Sequence, residues 1–133
     1  MTKRIITGAV ASLAMAFSFG TASAAETAPS QIPYQVAADL FDDNVQFIDV
    51  RPTHISEAGQ IEGAASLPLR TEFTREALAM LASVEHPIVF YCNDGIVSYS
   101  KEAAKLAKEW GYKNVYVIDG GFPHWNQASL PIE

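Results

Sequence analysis

The chain has one cysteine, Cys92, in 133 residues, so no internal disulfide staples it and its stability has to come from an apolar core. Positive charge is scarce: nine Lys and Arg stand against fifteen Asp and Glu, a formal net charge of −6. That balance argues against nucleic acid and anionic membrane surfaces as partners, and it gives an anionic substrate no long-range attraction. Any anion has to be held by local backbone amides. Arginine is absent from Glu76 to Glu133, and there is no internal repeat, heptad or low-complexity tract. His54, His86 and His124 show no ligand-like pairing, so the expectation is solvated loop positions for them, no metal and no cofactor.

What is present begins with a processing signal. Lys3 and Arg4 precede an apolar stretch from Ile5 to Phe19, and Ala22-Ser23-Ala24 supplies the small residues a signal peptidase accepts. The stretch is short for a bilayer span, which needs roughly 20 residues. The reading is a signal peptide over residues 1–24, cleaved on export to a bacterial periplasm, with no membrane association afterwards. The remaining 109 residues suit one domain, and without Lys3 and Arg4 the charge becomes −8.

Residues 25–33, with Pro29 and Pro33, read as a flexible lead-in to a domain over 34–133. Val45 to Val50 reads as a strand running into a polar loop from Arg51 to Gln60, and Ala64 to Leu67 as a short strand closed by Pro68. Phe73, Ala77, Leu78 and Leu81 predict a helix over 72–83, and Ile88 to Tyr91 a strand. Tyr99, Ala103, Leu106 and Trp110 share one helical face, with Ser98 as cap and Gly111 as stop. Val115 to Ile118 is a further strand, Asp119-Gly120-Gly121 a turn, and Pro123 to Asn126 a short helix. Trp110 and Trp125 are expected to pack the core. Strands alternating with helices predict an α/β fold with a mainly parallel sheet, whose ligands bind beyond the strands' carboxyl ends.

Cys92 stands at such an end, opening Cys92-Asn93-Asp94-Gly95-Ile96-Val97-Ser98 directly before the long amphipathic helix. Strand, thiol, glycine-bearing turn and helix put the sulfur where backbone amides converge, and amide nests and helix N-termini favour the ionised, nucleophilic sulfur. A free thiol in an oxidising compartment suggests a use for its reactivity, so this position favours a reactive cysteine over one buried as a small hydrophobe. Arg51 and Asp49 follow another strand's end; the reading favours Arg51 pairing with Glu57 or Asp49 to tie down the long loop over contacting substrate. Ser98 is a cap and a candidate hydrogen-bond partner of the sulfur.

With Phe47-Ile48-Asp49-Val50-Arg51, then Glu57 to Ala64, then the Cys92 loop, then Asp119-Gly120-Gly121 with Trp125 and Leu130-Pro131 in that order, the chain resembles the single-domain rhodanese family of sulfurtransferases over about Tyr34 to Glu133. The resemblance implies a three-layer α/β fold and a persulfide mechanism. Cys92 attacks the sulfane sulfur of thiosulfate or a similar donor, and cyanide or a thiol removes it. The amides of Asn93, Asp94, Gly95, Ile96, Val97 and Ser98 hold the developing charge.

The sequence departs from the family pattern at Val97, where a cation is common, at Asp94, which adds negative charge to the loop, and at Gln60, a position read as structural. Lys101, near the start of the helix, is the candidate to replace the missing cation. The resemblance also implies small sulfur anions and a thiol or cyanide as partners, with a protein sulfur donor or acceptor as a further one. A related fold with an oxyanion-binding arginine, the Cys-x5-Arg phosphatases, is disfavoured because Ser98 stands at that spacing. The alternative function is a sulfur-carrier or protein-binding module with little activity on thiosulfate. A thiol-redox protein would need a second thiol from a partner.

Overall fold

The computed structural model describes residues 28–93 and 98–133. The expected signal peptide, the first part of the lead-in, and the loop residues Asp94, Gly95, Ile96 and Val97 lie outside the described residues. The elements are β1 (Ser30–Ile32), α1 (Tyr34–Asp42), β2 (Gln46–Asp49), α2 (Thr53–Glu57), β3 (Ala65–Ser66), α3 (Arg75–Leu81), β4 (Ile88–Tyr91), α4 (Tyr99–Glu109), β5 (Val115–Ile118) and α5 (Gly121–Gln127).

The five strands form one parallel sheet in the order β1-β5-β4-β2-β3. Side-chain alternation along each strand then sorts the core into two layers. Ile48, Ile88, Phe90, Val115 and Val117 face α3 and α4, meeting Leu78, Ala103, Ala104 and Ala107. Phe47, Val89, Tyr91 and Ile118 face α1 and α5, meeting Ala37 and Trp125. The sheet is therefore covered on both faces, as the resemblance implies. Trp125 is fully buried between Phe41 and Phe47 at ring separations of 5.4 and 5.7 Å, and its Nε1 donates to Pro131 O at 2.9 Å. Trp110 stacks on Phe73 at the rim of the other layer.

The structure differs from the sequence reading in four places. Ser30–Ile32, inside the expected lead-in, is edge strand β1, held by parallel pairing with β5. Three residues carry no periodicity, so only the partner strand defines it. Helix α1 stands where the sequence reading assigns no element, although Tyr34, Ala37, Ala38 and Phe41 recur at helical spacing. Helix α2, one turn long, stands in the expected polar loop and places His54 on a helix. The helix expected over 72–83 is Arg75–Leu81, because Thr74 caps it by accepting from Ala77 N at 3.1 Å. Phe73 then turns in to pack edge-on against Phe90.

From β2 the chain goes by way of α2 to β3 on one side, and from β4 by way of α4 to β5 on the other. The carboxyl ends of neighbouring β2 and β4 thus flank a point where the connections diverge, the place where open parallel sheets bind ligands.

Candidate functional site

Cys92 follows the last residue of β4. By strand alternation its side chain falls on the α4 layer, and it is 4 % exposed within that core cluster. The expectation that this position disfavours burial is therefore corrected: the two-residue period carries the sulfur inward beneath the start of α4. There its Sγ lies 3.3 Å from Oγ of Ser100, itself buried. Ser100 Oγ is 3.3 Å from Ser98 Oγ, and Ser98 Oγ accepts from Lys101 N at 3.3 Å as the cap of α4. Ser98 is the cap the sequence predicts, while the hydroxyl beside the sulfur is that of Ser100. Sequence reasoning missed it, although a serine at the head of the buried stripe Ser100, Ala103, Ala104, Ala107 is a legible oddity.

The backbone of Cys92 is held from the other side. Its carbonyl accepts from Phe122 N at 2.8 Å, at the start of α5 after the Asp119-Gly120-Gly121 turn. Gly120 caps α5 at φ +81°, in the left-handed region, and an added Cβ would run into the His124 ring.

Asp49 and Arg51 form the pair the sequence favours, with Asp49 as the partner. Asp49 Oδ1 accepts from Arg51 N at 3.0 Å and Nε at 2.9 Å, and Oδ2 from Arg51 Nη2 at 2.6 Å, all buried. The remaining guanidinium donors go to Gly59 O at 2.7 Å and to Asn93 Oδ1 at 3.1 Å. The guanidinium also lies 4.3 Å from the Phe122 ring centroid and 5.5 Å from that of Tyr91. Burial alone would lower the Arg51 pKa, but the hydrogen bonds and charge of Asp49 outweigh it and raise it. Tyr91 is pushed well above the usual phenol range, first by burial and then by the charge of Asp49, so its hydroxyl stays neutral and accepts from Ile61 N at 3.0 Å. Arg51 therefore serves the loop: through Asn93 it grips the residue next to Cys92.

Lys101 is exposed in the first turn of α4. Gln60 is structural, donating to Ala64 O and to Glu133 Oε2, with its backbone paired to Glu133. The walls of a cleft of about 510 Å³ include His54 and Glu57 of α2, Leu69, Arg70 and Thr71 after β3, and Tyr99 at the head of α4. The Arg70 guanidinium sits 5.3 Å from the Tyr99 ring centroid. His54 therefore lies on a cleft wall and not in the loop the sequence suggests. A buried cysteine beneath a helix N-terminus, with a hydroxyl at its sulfur and its carbonyl held by Phe122 N, is a constellation for nucleophilic sulfur chemistry.

Comparison with known proteins agrees. A family model for the Rhodanese-like domain matches residues 33–128. The thiosulfate sulfurtransferase GlpE of Shewanella oneidensis is 35 % identical over 89 residues, covering 65 % of this chain and 80 % of that protein. Its counterpart in Actinobacillus succinogenes is 33 % identical, covering 68 % and 78 %. The solution structure of the rhodanese-like domain of an Anabaena protein superposes with a TM-score of 0.67 at 22 % identity, covering 77 % of each chain. The fold, the order of the motifs and these likenesses together place the chain in the rhodanese-like domain family.

Proposed function

We propose that the protein is an exported sulfurtransferase that moves a sulfane sulfur from thiosulfate or a similar donor to cyanide or a thiol through a Cys92 persulfide. Its relatives make it a thiosulfate sulfurtransferase-like transferase; the donor, the acceptor and the compartment are our additions. The observation that carries the reading is the Cys92 sulfur set against the Ser100 hydroxyl at the head of α4. In the first step the Cys92 thiolate attacks the outer sulfur of thiosulfate. A new S–S bond forms, the donor's S–S bond breaks, and sulfite leaves with the electron pair. In the second step the acceptor attacks that outer sulfur and the electron pair returns to Cys92. Export is supported by Lys3, Arg4, the apolar run and Ala22-Ser23-Ala24.

The test is intact mass. After incubation with thiosulfate the reduced protein gains one sulfur atom, the Cys92→Ser variant gains none, and cyanide removes the sulfur as thiocyanate. Absence of the gain would overturn the reading. Val97 in place of a loop cation supports the second reading, a carrier or binding module, in which a partner protein loads Cys92 and thiosulfate does not.

A further inference from the structure

The Arg51 guanidinium is a fixed post. Arg51 is 3 % exposed, its Nε and Nη2 are committed to Asp49 and Gly59 O, and its centre lies 4.3 Å from the Phe122 ring centroid. Its Nη1 reaches Asn93 Oδ1 at 3.1 Å, across 42 positions of sequence and directly after Cys92. Asn93 is exposed, so burial does not hold its side chain; the bond to the guanidinium does. A guanidinium only donates, so the partner at position 93 has to be an acceptor, and a hydrogen bond from a charged donor is of the stronger kind.

A second bond acts on the neighbouring group. The Cys92 carbonyl accepts from Phe122 N at 2.8 Å. That carbonyl belongs to the peptide joining Cys92 to Asn93, and because a trans peptide is planar, fixing its C=O also fixes the line of the Asn93 N–H. One handle is therefore on the peptide and the other on the side chain that follows it. Both lead to the start of α5, where Phe122 supplies the N–H for one and its ring backs the guanidinium of the other.

We propose that Asn93 is a positioning residue for sulfur transfer: held by Arg51, it steadies the peptide between Cys92 and Asn93, so that the Cys92 sulfur stays against Ser100 and the Asn93 N–H keeps its direction. The proposal rests on the sulfurtransferase reading above. Asn93 acts through the nucleophile's backbone, and no bond is made or broken at its side chain.

Two measurements test it. In the first, the rate at which thiosulfate loads sulfur onto Cys92 is followed in single turnovers in the native protein, in Asn93→Leu, which has a similar shape and no acceptor, and in Asn93→Asp, which keeps the acceptor. The expected result is a loss of about tenfold in Asn93→Leu, the scale of one hydrogen bond to a charged group, with an unchanged urea midpoint, and a rate within about threefold of native in Asn93→Asp. A native rate in Asn93→Leu, a midpoint that falls with the rate, or an Asn93→Asp rate as low as that of Asn93→Leu overturns the proposal. In Arg51→Lys protein, which keeps a charge for Asp49 but lacks the fork, Asn93→Leu is expected to add nothing, and a further tenfold loss there overturns the route through Arg51. In the second, hydrogen exchange of the Phe122 amide is read by NMR. It is expected to speed up in Asn93→Leu and not in Asn93→Asp, while the amides of β4 and β5 keep their protection; a Phe122 amide indifferent to Asn93→Leu overturns the proposal. If thiosulfate leaves no sulfur on native Cys92, the sulfurtransferase reading fails at the loading step, and the exchange measurement still decides whether Asn93 holds the peptide.

Discussion

Ser98 Oγ accepts from the Lys101 amide and lies 3.3 Å from Ser100 Oγ, which in turn lies 3.3 Å from the Cys92 sulfur. The ionised sulfur carries no proton, so in that state the Ser100 hydroxyl donates to it and Ser100 Oγ can accept from the Ser98 hydroxyl. A sulfur so placed receives a hydrogen bond as negative charge gathers on it. Ser100→Ala removes that bond, worth about 1 kcal/mol, and is expected to slow transfer from thiosulfate to cyanide about fivefold. Steady-state kinetics check it, and a rate equal to the native one would show that the hydroxyl is packing alone. Ser98 was legible in the sequence because caps have a local signature. The contact of Ser100 with the sulfur was not, because only the return of α4 over the end of β4 makes it.

Arg51 works between elements. It joins the end of β2 through Asp49, the segment after α2 through Gly59, the Cys92 segment through Asn93, and α5 through the Phe122 ring. Arg51→Met leaves the Asp49 carboxylate buried with its cation gone, and breaking a buried pair from one side costs about 3–5 kcal/mol. Urea unfolding is expected to show a loss of that size. The double variant Asp49→Asn, Arg51→Met should recover part of it, since no unpaired charge remains; a double variant as unstable as the single would refute the ion-pair account. The Asp-Val-Arg spacing at the end of β2 made a pair with Asp49 readable beside one with Glu57, as alternate residues of an extended segment share a face. The links to Gly59, Asn93 and Phe122 span 8 to 71 positions of sequence and carry no local signal. Helix α2 and strand β1 were missed for the complementary reason: elements of five and three residues are too short to show a period.

At the scale of the whole molecule, the carboxyl-terminal segment closes the domain against the far side of the site's supporting loop. Gln60 N donates to Glu133 O at 3.0 Å, Glu133 N to Gln60 O at 2.8 Å, and Glu62 N to Pro131 O at 3.2 Å, while Trp125 donates to Pro131 O. Glu133 Oε2 also accepts from Gly63 N at 3.0 Å. Ending the chain at Ser129 is expected to cost about 2 kcal/mol, a discounted sum for bonds that are partly exposed. The fluorescence of Trp125 during urea unfolding reads the change, and an unmoved midpoint would mean the strap is dispensable. The amino-acid sequence by itself determined the alternation of strands and helices that makes an α/β fold, through periods that are local, and it singled out Cys92, Ser98 and a pairing of Arg51 with Glu57 or Asp49, all of which lie within a few residues or at an element's end. Only the tertiary structure decided that the thiol is buried against Ser100, that Arg51 grips Asn93, and that Arg70, Glu57 and Tyr99 share one cleft. Those relations depend on which strand lies beside which, and the parallel order β4-β2-β3 brings together segments that no period in the sequence connects.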